Sequence, residues 1–267
     1  MDGTPAKFAG PTTRVVRIGQ TVRRPAHRNT AAVQALLKHL EDAGFDGAPR
    51  ALGVDGEGRE IVSFIHGTAG HYPLRPFVLS ESTLIRLGLL LRRFHDATMG
   101  FSLPRDVRWH NSQGHRGPVV CHGDIGPYNT IFRDGAPVGF IDFERAAPGP
   151  RIWDIAFVIY RYAPLCDLRE RVLTRAFLRQ VAKRIRTLSG AYGFFENHDL
   201  FDWIRLRLKT EIHLFEDGES EDRVRRRKLI KEGHLALYRR DLRLITGISP
   251  VLRRLILPTA LVLESNQ

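Results

Sequence analysis

The sequence predicts an α+β protein of two lobes, a small β-rich N-lobe over residues 1–66 and a larger, mostly helical C-lobe over 67–267. Three observations carry this expectation. Short β-favouring runs bounded by glycine surround one helical stretch in the first 66 residues. From Ser80 onward the apolar residues recur mostly with a helical period. Within that helical part, residues 118–154 break the period with three short apolar runs bounded by Gly and Pro.

Taken in order, Arg14–Ile18 and Thr21–Arg24 flank Gly19-Gln20, a two-residue hairpin turn. A helix starts at Asn29 or Thr30, either of which can cap it. Val33, Leu36, Leu37 and Leu40 form its apolar stripe, and Gly44 ends it. Ala51–Val54 and Glu60–Ile65 pair across Asp55-Gly56-Glu57-Gly58 as a second hairpin, and Ser63–Gly67 forms the joint. In the next helix Leu84, Leu87, Leu91 and Phe94 share one face. The runs Val119–Cys121, Thr130–Phe132 and Val138–Ile141 read as strands. Helical stretches follow over about 152–163, 167–189, 199–215 and 220–245.

The 267 residues are 43% hydrophobic and 26% charged, ordinary globular values that exclude a disordered or fibrous chain. Two cysteines make no disulfide framework, and no apolar run approaches the length of a membrane span. A cytoplasmic location and no membrane partner are therefore expected. The formal net charge of +12 suggests an anionic partner. However, no helix–turn–helix, zinc-finger or aromatic RNA-binding motif accompanies it, so nucleic acid is disfavoured. Residues 118–156 carry three basic and five acidic residues, whereas 223–243 carry nine basic and two acidic. The excess thus avoids the segment with the densest chemistry.

That segment reads His122-Gly123-Asp124-Ile125-Gly126-Pro127-Tyr128-Asn129, then Ile141-Asp142-Phe143-Glu144. Each half is a strand that runs into polar residues. Asp124 and Asn129 lie five apart on one loop, and Asp142 follows at the end of the next apolar run. Two carboxylates and an amide converging at strand ends suit phosphoryl transfer from a magnesium–nucleotide. Mg²⁺ takes hard oxygen ligands, and a separate carboxylate must orient the attacking hydroxyl and receive its proton.

These residues resemble the catalytic and metal-binding motifs of the aminoglycoside phosphotransferase and choline kinase group, within the protein-kinase-like fold. The likeness extends to Trp153-Asp154 and to the helix Leu89–Asp96 with its His-Asp ending, and covers residues 12 to 160 or so. It implies a small-molecule kinase that moves the γ-phosphate of ATP or GTP to a hydroxyl. Asp124 would be its catalytic carboxylate, Asn129 and Asp142 the Mg²⁺ ligands, His122 a support behind the loop and Asp154 a brace. Gly123 in the loop and Glu144 after Asp142-Phe143 favour a small acceptor over a protein.

Two departures shape the expectations. Arg24 stands where the family has a phosphate-binding Lys, and the facing helix offers Val33 and Gln34 where a Glu is expected. Arg24 is therefore expected to meet phosphate without a carboxylate partner. In place of a G-x-G-x-x-G loop there is only Gly10-Pro11-Thr12-Thr13. These gaps define the alternative, a kinase-like nucleotide-binding module of weak or no activity. The acidic stretch 211–222 caps a basic helix, and its Glu211, Glu216 or Asp217 could hold a cationic acceptor. The base of the donor is left to the joint near Ser63–His66.

Overall fold

The computed structural model describes residues 6–9, 14–110, 116–168, 172–193, 200–216 and 223–256. The hairpin around Gly19 forms as expected. Strand β2 (Arg14–Ile18) pairs with β3 (Thr21–Pro25), and Gly19 takes φ +58°, the left-handed region a tight turn requires. Strand β1 (Ala6–Ala9) adds to one side, and β4 (Ala51–Val54) and β5 (Arg59–Ser63) to the other. The antiparallel order is β1-β2-β3-β5-β4. Helix α1 (Thr30–Asp42) lies between β3 and β4 in sequence and buries the expected Val33, Leu36, Leu37 and Leu40. The candidate turn Gly10–Thr13 lies outside the described residues.

Helix α2 (Glu81–Ala97) buries Leu84, Leu87, Leu91 and Phe94, the predicted stripe. The three apolar runs that follow are strands β7 (Val119–Cys121), β8 (Thr130–Arg133) and β9 (Ala136–Phe140). Besides β1, two further strands were not expected. β6 (Thr68–Ala69) pairs with β8, and β10 (Ala147–Gly149) pairs with β7. Neither has a readable period, since one is two residues long and the other is Ala-Pro-Gly.

The helices α3 (Ile152–Tyr162), α4 (Arg175–Tyr192), α5 (Leu200–Glu216), α6 (Arg223–Lys231) and α7 (His234–Ile256) complete the chain. Two of them correct the sequence boundaries. The stretch expected from 167 begins only at Arg175, where the Thr174 hydroxyl caps the helix by accepting from Phe177 N. The stretch expected over 220–245 is two helices, because Gly233 takes φ +90° between α6 and α7, and α7 then continues through Pro250.

The contacts divide into two compact units, one of residues 1–77 with 89–154 and one of 78–88 with 155–267. The second unit is helical, with α4, α5 and α6 each against α7. The first holds every sheet and the motif residues. At its centre Phe94 is fully buried, with ring centroids of Phe45, Phe140 and Phe143 at 5.8, 6.1 and 5.8 Å and that of His122 at 6.5 Å. This cluster ties α2 to β9 and to the loops after β7 and β9. Replacing Phe94 by Ala should cost about 3–5 kcal/mol of stability, read as a lower denaturation midpoint at unchanged m-value.

Candidate active site

Strand β7 delivers the chain to His122-Gly123-Asp124 in a loop that has no ladder of its own. Two of its backbone donors are met by one buried carboxylate. Asp154, in the first turn of α3, accepts from His122 N at 2.7 Å and Gly123 N at 2.9 Å. His95 Nε2 donates to the same carboxylate at 3.2 Å. Burial alone would raise the Asp154 carboxyl, but His95, the His122 ring and the Gly123 N–H outweigh it and hold it below the usual carboxylate value. Gly123 takes φ +80°, and a Cβ there would sit 2.6 Å from Arg145 O, so the position admits only glycine.

His122 is fully buried, and burial pushes its imidazole below the usual 6.5 despite Asp154 and Asp124 nearby. The neutral ring uses both nitrogens: Nε2 donates to Ile141 O at 3.0 Å, and Nδ1 accepts from Asp124 N at 3.3 Å. The first contact joins the loop after β7 to the strand end that carries Asp142, and the second braces the loop internally. Next to His95, Asp96 pairs with Arg92 and with Arg151, so the end of α2 grips both sides of the Trp153-Asp154 segment.

Asp124 Oδ1 accepts from the Tyr128 hydroxyl at 2.7 Å. The Asn129 amide nitrogen donates to Asp124 O at 2.9 Å and Asp124 Oδ2 at 3.2 Å, which turns the amide oxygen the other way. Asn129 O accepts from Ile141 N at 2.9 Å, bringing Asn129 beside the residue that precedes Asp142. Asp142 adopts φ +67°, a conformation Asp tolerates better than most residues, and its side chain is 35% exposed.

Arg24, on β3, reaches Asp142 Oδ1 through Nη1 at 2.6 Å and Glu60 Oε2 through Nε at 2.6 Å. Burial works against its charge, but Asp142 and Glu60 more than compensate and raise its pKa above the ordinary arginine value. This corrects the expectation of an unpartnered Arg24. The carboxylate comes from the neighbouring strand instead of the helix, and Gln34 on α1 supports it by donating to Glu60 Oε1 at 2.9 Å. A signal was present in the sequence, because strand alternation puts Glu60 on the same face as buried Val62, where a carboxylate needs a partner.

The expected residues Asp124, His122, Asn129, Asp142 and Arg24 therefore lie in one compact unit, joined by hydrogen bonds and one ion pair. The donor set fits Mg²⁺: the amide oxygen of Asn129 and the second oxygen of Asp142 are hard ligands, and Arg24 takes only one Asp142 oxygen. A second group, His95, Cys121 and Asp154, brings its ligand atoms within 4.8 Å of one another. It is fully buried, and the N–H donors described above already use Asp154. Glu211, proposed for a cationic acceptor, is buried against Arg207, and Glu216 pairs with Arg239. Asp217 lies outside the described residues.

Residues 102–188 match the model of the phosphotransferase enzyme family. The chain is also 37% identical over 193 residues to a trifolitoxin immunity protein of Rhizobium leguminosarum bv. trifolii, covering 69% of this chain and 72% of that one. The chain belongs to the phosphotransferase enzyme family. Its fold is that of the kinase-like members. A choline/ethanolamine kinase family protein from Mesorhizobium loti superposes with a TM-score of 0.57 at 17% identity, over 91% of this chain and 93% of that one. Amicoumacin kinase, solved with AMP-PNP, Ca²⁺ and Ami, gives 0.60 at 12% identity over 89% and 87%. Among the described residues no helix is long and apolar enough to cross a membrane.

The clamp makes a stability prediction for this phosphotransferase family member. Asp154→Asn turns one acceptor into a donor that faces backbone N–H groups, and should lower stability by roughly 3–5 kcal/mol. Because the Asp154 pKa is lowered on folding, its contribution is full above about pH 4 and fades on further acidification. Denaturant titrations at neutral and acidic pH should thus show the wild-type advantage over Asp154→Asn shrinking as the pH falls.

Proposed function

We propose that the protein transfers the γ-phosphate of a nucleoside triphosphate to a hydroxyl of a small molecule, in the cytoplasm and with Mg²⁺. One observation carries the reading: the Asn129 amide bridges to Asp124 while its own backbone is bonded to Ile141, so that base, metal ligand and second metal ligand form one unit. Asp124 is the base. The acceptor oxygen attacks the γ-phosphorus, its proton passes to the Asp124 carboxylate, and the bond to the bridging oxygen of the nucleoside diphosphate breaks.

Tyr128 and Asn129 hold the Asp124 carboxylate in one orientation before the acceptor arrives. His122, neutral and with both nitrogens engaged, keeps the loop in register with Asp142. Arg24, steered by Glu60, gives the phosphates a fixed positive charge. Asn129 and Asp142 would hold Mg²⁺, which when bound would supply positive charge against the charge that develops in transfer. The lobe division at 66/67 belongs to this reading, with the donor held on the N-terminal sheet.

The relative named as a trifolitoxin immunity protein favours an acceptor that is itself a toxin or antibiotic, in which phosphorylation of one hydroxyl disarms the compound. Transfer of labelled phosphate to a panel of hydroxylated antibiotics and metabolites tests this. Asp124→Ala should lower turnover by at least about a thousandfold while nucleotide still binds, since the base is lost but the phosphate contacts remain. Asp142→Ala should abolish Mg²⁺-dependent nucleotide binding in calorimetry. Wild-type turnover in either variant removes the assignment. The immunity protein's name also suits a chain that binds without turnover; a thermal shift with Mg–nucleotide and no transfer to any acceptor would favour that module.

A further inference from the structure

The face of the N-terminal sheet that carries Arg24 has a second arginine at its other end. In an antiparallel pair, opposed residues share a face, as do residues two apart on one strand. Arg17 opposes Val22, and Val22 lies two residues from Arg24. Val15, Arg17, Val22 and Arg24 therefore point to the same side, all half-buried. Arg24 marks one end of this strip by its bond to Asp142. Val15 lies across from Arg24 and Val22 across from Arg17, so the two valines fill the other diagonal of the block. At the far end the Arg17 guanidinium carbon lies 3.7 Å above the centre of the Phe64 ring.

Phe64 follows β5 directly, and its backbone N–H donates to Gln20 O at 2.8 Å, which fixes the ring against the turn between β2 and β3. Arg17 is held as firmly. Its Nε donates to Gly19 O at 2.8 Å, and no other hydrogen bond or ion pair engages its terminal nitrogens among the described residues. A half-buried block with a cation tied to Asp142 on one corner, valines beside it and an anchored donor fork on an aromatic ring at the opposite corner offers the chemistry that a purine nucleotide needs.

Building on the phosphotransferase reading, we infer that Arg17, seated on Phe64, reads the purine of the phosphoryl donor and selects guanine over adenine. A guanidinium has donors only. Guanine offers it O6 and N7, two acceptors side by side, whereas adenine offers N7 beside an amino group that is itself a donor. The stacked Phe64 ring stiffens the fork, so a mismatched base cannot be accommodated by a swing of the side chain.

Calorimetric titration of the full chain with GDP and with ADP, each with Mg²⁺, tests this without needing an acceptor. The wild type should bind GDP about tenfold more tightly. Arg17→Gln should bring the two affinities together. Should that variant lose thermal stability, Arg17→Lys gives the same reading, since it keeps the cation over the ring and lacks the fork. Equal affinities in the wild type, tighter ADP binding, or a guanine preference that survives both substitutions would overturn the assignment of Arg17 and leave the kinase reading intact. Failure to bind either nucleotide would overturn both. Nucleotide binding with a guanine preference but no phosphate transfer would uphold Arg17 and remove only the catalytic reading.

Discussion

The carboxylate of Asp154 is the constraint from which the site is built. A loop that leaves a strand without entering a helix has backbone N–H groups with no ladder to satisfy them, and burying such groups unpaired is costly. Asp154 accepts two of them, from His122 and Gly123, and takes a third donor from His95. The loop can therefore be both irregular and buried. The irregular path lets Asp124 meet the Asn129 amide. Gly123 is the other half of this arrangement, as it lets the loop pass Arg145 O where no side chain would fit.

A second constraint acts between two carboxylates. Arg24 bonds both the half-exposed Asp142 and the fully buried Glu60, and so allows them to lie close together. The pair usually expected between a strand cation and a helix carboxylate is here relayed: Arg24 to Glu60 on the next strand, then Glu60 to Gln34 on the helix. The Gln where a helix acid is expected is thus compensated from the strand next to Arg24, where a motif comparison does not look. The longer reach of arginine and its fork let one side chain serve both carboxylates, which an ammonium could do only at shorter range.

Legibility in the sequence followed the range of the interaction. Elements held by local signals were readable. α1 showed its stripe and its glycine stop, the Gly19 hairpin its turn, and β7 to β9 their short apolar runs. The start of α4 was not, because the apolar period continues upstream of Thr174 while the cap that ends it is a single hydroxyl. The break between α6 and α7 was signalled by Gly233 alone, within a run of charges that reads as one helix. β6 and β10 carry no period at all and exist only because β8 and β7 offer them an edge.

For the site, the sequence by itself determined the identities and the spacing: Asp124, Asn129 and Asp142 at strand ends, His122 ahead of the loop, and Arg24 on a strand. It could do so because loop spacing and strand alternation are properties of consecutive residues. Tertiary structure decided which groups meet. That Asp154 receives His122, Gly123 and His95, that Glu60 answers Arg24, and that Tyr128 rests on Asp124 are outcomes of packing around Phe94 and of register between strands. Hydrogen bonds in a buried site depend on distances fixed to a few tenths of an ångström, and only the packed core sets distances that closely.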